Sequence, residues 1–189
     1  MDSGPIIMQG AVAVLDNGVA ANVGALCARL DAFGVPYSLA KDPQAVAAGT
    51  VLVLPPEIAP QVIGPVLTQS LERFVNKGGV LLALEQQDLA SKLPGAYSVA
   101  IGETTFCDMV LPDHPVFAGM TLRHLDTWDD GELCMVVRAA YMPFTVNAVA
   151  ARGPRLGQKN AGMAMVEGTY GRGHVVYSQL AAFAAADRD

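Results

Sequence analysis

The stretch VLTQSLERFVNKGGVLLALEQQ, residues 66–87, decides the fold. Val66, Leu67, Leu71, Phe74 and Val75 recur at helical spacing, while Thr68, Gln69, Glu72, Arg73 and Asn76 take the opposite face, so the first half is an amphipathic helix. Lys77 suits the negative end of the helix dipole, and Gly78 can adopt the left-handed conformation that lets the chain leave. Pro65 fits the opening turn, where its missing N–H costs nothing. Val80, Leu81, Leu82, Ala83 and Leu84 then run without polar alternation, the pattern of a strand covered on both faces. Residues 50–54 (TVLVL) form a second such run upstream. Strand, helix and strand together predict a right-handed crossover joining parallel strands.

Working outward, residues 10–15 (GAVAVL) read as a first strand ending in Asp16, Asn17 and Gly18. Val19, Val23, Leu26, Leu30 and Phe33 trace a helical stripe that Gly34 and Pro36 terminate. Residues 37–40 are a short strand, 41–49 a connection or short helix, and Pro55-Pro56 blocks further strand pairing after 54. Beyond Gln87 the pattern becomes mostly β, with strands expected at 97–101, 105–111, 133–139, 144–151, 162–167 and 173–179. Residues 168–172 (GTYGR) read as a hairpin turn, Thr121 as the cap of a short helix over Leu122, Leu125 and Trp128, and 180–186 as an apolar tail or the start of a final helix. The expected class is α/β: a flavodoxin-like, doubly wound, mainly parallel sheet with an antiparallel β extension in the C-terminal third. Residues 1–189 are expected to form one domain, with room for it to be a piece of a larger multidomain protein.

Hydrophobic residues make up 52% and charged residues 16%, which excludes disorder and suits a sheet shielded by helices. A net charge of −6 argues against a partner whose phosphates must be neutralised by Lys and Arg, so no nucleic acid is expected. Cys27, Cys107 and Cys134 are odd in number, lack a CxxC pair and sit in apolar contexts, the pattern of reduced core residues. The opening MDSGPIIMQG lacks a basic segment and a long apolar stretch, and no window approaches the ~18 apolar residues of a membrane span. The chain as it stands is expected to be soluble and cytoplasmic, the compartment of any longer parent being open.

In doubly wound sheets ligands bind beyond the carboxyl ends of the strands. Here that rim reads Asp16, Asn17, Glu57, Glu85, Gln86 and Gln87: acidic, without a glycine-rich turn, and unsuited to a nucleotide phosphate. Gly168, Gly171 and Gly173 match neither GxGxxG nor GxxxxGK[ST], and no GxSxG or GxCxG elbow follows a strand. His114 and His124, with Asp113 and Asp126, match no compact metal motif, and Asp129, Asp130 and Glu132 form a turn too short for a calcium loop. No metal or cofactor is expected. Glu85 beside Asp16 or Glu57 would form a carboxylate pair for acid/base or glycosidic chemistry if the fold brought them within about 5 to 10 Å.

Four stretches in order, VLVLPPE (51–57), LERFVNKGGVLLALEQ (71–86), DHPVFAGMTLRHLDTWDDG (113–131) and YGRGHVVYSQL (170–180), resemble the class I glutamine amidotransferase-like domain found within bacterial glycoside hydrolases of the β-galactosidase kind. In active amidotransferases the strand after the central helix ends in a cysteine elbow, and a late strand leads into a His-Pro-Glu type segment. The matching places here read Leu84-Glu85-Gln86 and Ser178-Gln179-Leu180-Ala181, without thiol or imidazole. Glutamine hydrolysis then lacks a covalent route. The resemblance implies a catalytically silent domain, assembling with itself or packing on other domains of a carbohydrate-active parent. A second reading makes Asp16, Asn17, Glu57, Glu85 and Gln86 a set of hydrogen-bond partners for sugar or polyol hydroxyls. A third makes Glu85 the base or nucleophile of a hydrolase.

Overall fold

The helix read from residues 66–76 runs from Pro65 to Asn76 (α2), with Gly64 before it in extended backbone and Pro65 in the first turn. At its far end Gly78, at φ +102°, donates its N–H to the Val75 carbonyl, and Gly79 donates to Phe74. Those two bonds satisfy carbonyls that would otherwise be orphaned, closing the helix in a Schellman motif. The preceding helix, Ala20–Ala32 (α1), ends the same way, Gly34 bonding Asp31 and Val35 bonding Leu30. The computed structural model describes residues 11–16, 18–57, 64–86, 93–94, 98–101, 106–109, 135–138, 147–152 and 163–178.

Among these residues ten strands form one sheet. They are β1 (Val12–Leu15), β2 (Tyr37–Ala40), β3 (Val51–Leu54), β4 (Val80–Leu84), β5 (Ser98–Ile101), β6 (Phe106–Met109), β7 (Met135–Arg138), β8 (Asn147–Arg152), β9 (Met163–Tyr170) and β10 (Gly173–Ser178). Strands β2, β1, β3, β4 and β10 lie side by side and parallel, the flavodoxin-like order with β10 in the fifth place. Beyond β10 the sheet turns antiparallel: β9 pairs with β10 and then with both β7 and β8, which pair in turn with β5 and β6. The chain is α/β as its periodicity indicates. The connection between β2 and β3 is reduced to a 3-10 turn, Pro43–Ala45, capped by the Asp42 carboxylate accepting from the Gln44 N–H at 2.9 Å.

Side chains alternate across a strand, and the register turns that alternation into two cores. Leu52, Leu81 and Val175 share a row, and Leu54, Ala83 and Tyr177 the next; both face α2 and meet Leu71, Phe74 and Val75, all buried. Burying a Leu or Phe side chain contributes about 1.5–3 kcal/mol, so this layer carries most of the parallel half. On the other face Val14, Val53 and Leu84 meet Leu26 of α1, with Val23, Cys27 and Leu30 half-buried beside them. That second layer is thinner. At the outer strand β2, Leu39 is 63% exposed, and Phe33 at the end of α1 is 80% exposed.

The hairpin between β9 and β10 is tighter than the five-residue turn expected from the sequence. Strand β9 continues through Gly168, which pairs with Val175, and through Thr169 and Tyr170, leaving Gly171 and Arg172 as the turn. Only Gly171, at φ +61°, needs the left-handed region there. Its tip rests on the end of α2: Arg172 Nε donates to the Asn76 carbonyl at 3.4 Å, and Tyr170 OH donates to Glu72 at 3.4 Å. The helix expected after Thr121 and the tail 180–186 lie outside the described residues.

Candidate functional site

The parallel strands all deliver their carboxyl ends to one rim. Strand β1 leads into Asp16, β3 into Pro55-Pro56-Glu57, and β4 into Glu85-Gln86. Ladder hydrogen bonding continues just past the strands: Asp16 N donates to the Ala40 carbonyl at 2.8 Å, Glu85 N to Ser178 at 2.7 Å and Glu57 N to Glu85 at 3.4 Å. Glu57 and Glu85 are therefore backbone neighbours at the ends of adjacent strands.

Both of these glutamates lie in the left-handed region, Glu57 at φ 55° and Glu85 at φ 45°, and among the described residues they are the non-glycines that do so. A side chain there costs about 1–2 kcal/mol per residue, because Cβ crowds the following carbonyl. Such strain persists where the surroundings over-determine it, and strand ends at ligand-binding rims are one such place. Glu57 is exposed and Glu85 half-buried. Asp16 is exposed and folds back on its own turn, its Oδ1 accepting from the Gly18 N–H at 3.2 Å.

Gln86 faces inward. Only 1% of it is exposed, and its Nε2 donates to the Pro55 carbonyl at 2.6 Å and the Leu84 carbonyl at 2.7 Å. Pro55 is buried, so that carbonyl is one the chain must satisfy internally. Asn22, in the first turn of α1, does the matching task for Pro56, its Nδ2 donating at 2.8 Å. The sequence does not single out Asn22, since nothing local marks a helix-surface amide as the partner of a carbonyl 34 positions away. Its bond ties α1 to the exit of β3 at the switch point between β1 and β3, the place where doubly wound sheets open their crevice. The structure thus brings Glu57 and Glu85 together, turns Gln86 into a support beneath them and leaves Asp16 on the neighbouring strand. Asn17 and Gln87 lie outside the described residues.

Chemically, carboxylates at such strand ends can accept hydroxyl donors or move a proton, and they oppose a phosphate. Glu85 occupies the bend directly after β4. Cys27 is half-buried on α1, its thiol beside the Tyr37 phenol. That contact, with desolvation and the Asp31 carboxylate 3.3 Å from the phenol oxygen, pushes the Tyr37 pKa up to about 12. His174 pairs with Glu167 across the antiparallel β9–β10 hairpin at 3.2 Å, from diagonally related positions. Cys134, His114, His124 and Trp128 lie outside the described residues. Among the described residues there is no group of three or more His, Cys, Asp or Glu placed to hold a metal, and no helix long and apolar enough to cross a membrane. At the opposite end of the sheet a depression of about 40 Å³ between Pro43, Gln44, Val46, Ala48, Phe74 and Lys77 has room for water rather than for a sugar.

No family model matches the sequence, and no curated protein matches it. In structure the chain is similar to part of a β-galactosidase from Rahnella sp. R3, with TM-score 0.55 and 13% identity over 90% of this chain and 28% of that one. It is also similar to part of the exo-β-1,4-mannosidase Op5Man5 from Opitutaceae bacterium strain TAV5, with TM-score 0.50 and 12% identity over 90% of this chain and 31% of that one. The chain spans less than a third of either protein, and at such identities the likeness is one of fold.

Proposed function

We propose that the chain is a non-catalytic, amidotransferase-like domain of a larger carbohydrate-active protein of the β-galactosidase-like glycoside hydrolase kind, serving oligomerisation or domain packing. The observation that carries this reading is the likeness of nine-tenths of the chain to less than a third of two glycosidases. Glu85 in the bend after β4 agrees with it, because a carboxylate there cannot replace the thiol of glutamine hydrolysis. Packing of this kind would cover Phe33 and Leu39, which stand exposed on the α1 and β2 side. Sedimentation and small-angle scattering on the isolated chain test the assembly role: a concentration-dependent dimer or trimer supports it. A strict monomer that also fails to associate with the remainder of its parent protein would overturn it.

A second reading rests on the strained pair Glu57 and Glu85: that the rim, with Asp16 and Asn17 and with the buried Gln86 supporting it from beneath, takes the hydroxyls of a sugar or other small polyol. Carboxylates and amides are acceptors and donors suited to such hydroxyls. Calorimetric titration with galactosides and oligosaccharides decides it, absence of heat and of a thermal shift at millimolar ligand counting against the idea.

A further inference from the structure

We draw no further inference here: the strongest candidate, the left-handed glutamate pair Glu57 and Glu85 at the strand-end rim, belongs to the site already described, and nothing beyond its acidity and backbone strain points to a ligand.

Discussion

Gly173 lies directly against Val75: a Cβ on Gly173 would overlap the Val75 carbonyl and that of Gly79. The first residue of β10 thus runs close against the end of α2, and the obstacle is main chain, which cannot rotate away.

Gly173→Ala should therefore destabilise the fold by about 2 kcal/mol or more, in the range of overpacking at a rigid contact. Gly24 supplies the control, since a Cβ there meets nothing within 4 Å. Gly24→Ala, in the middle of α1, should stabilise by up to about 1 kcal/mol through helix propensity. Urea denaturation of the two variants should give opposite signs; equal effects would show that the close approach is absent.

Glu57→Gly and Glu85→Gly should each relieve left-handed strain of about 1–2 kcal/mol, against the roughly 0.5–1 kcal/mol entropic cost of glycine. The net expectation runs from no change to a rise of about 1.5 kcal/mol, or up to ~6 °C in melting temperature for a chain of this size. Calorimetric melting checks it. A marked fall for either variant would mean that the carboxylate holds the rim together. If the rim binds polyols, the same variants should lose that heat of binding while melting no lower.

Removing the Gln86 amide should cost more. Gln86→Leu leaves the carbonyls of Pro55 and Leu84 without the donor seen here, at about 1–3 kcal/mol for a buried unsatisfied group. Chemical denaturation should show a loss of about 2 kcal/mol or more, with proteolysis or hydrogen exchange increasing first at the ends of β3 and β4.

Two tyrosines should ionise late in an ultraviolet titration. Tyr37 is raised to about 12 by the Cys27 contact first, then by desolvation and Asp31; Tyr170 is raised by burial and by Glu72. An unfolded phenol ionises near 10, so between about pH 10 and 12 the unfolded chain has released a proton that folded Tyr37 retains. Stability from this source is complete below about pH 10 and is lost as pH rises toward 12. Cys27→Ala should bring the Tyr37 transition back toward 10, and Tyr37→Phe should remove it.

Surface variants address assembly. Phe33→Ser and Leu39→Lys replace apolar groups that are 80% and 63% exposed, so neither should change stability by more than about 0.5 kcal/mol. If this side is an interface, the pair should shift sedimentation toward monomer; an unchanged distribution of oligomers would place the interface elsewhere.

The parallel half was legible from sequence because its signals are local. Strands 37–40 and 80–84 coincide with their apolar runs, and α2 starts at the proline and stops before the glycines that suggested its limits. Gly168 misled because glycine marks turns in general, whereas here it sits buried in a ladder opposite Val175. At the rim the acidic residues could be named from their places after strands. That Glu57 and Glu85 are backbone neighbours in a strained conformation depends on β3 lying beside β4, and that Gln86 points inward depends on a proline carbonyl 31 positions away. Such facts are properties of the assembled sheet and have no local signature.

Strand β10 fills the fifth place of the parallel sheet, yet its register partner β4 ends at Leu84, and everything between that residue and Gly173 must be synthesised before the two can meet. On a ribosome the outer side of β4 would therefore stay open while the antiparallel strands emerge, an unpaired apolar ladder of the sort that recruits strands from other chains. The seam at β10 makes the parallel half depend on its longest-range pairing, the non-local kind of contact whose loop-closure entropy slows folding in general.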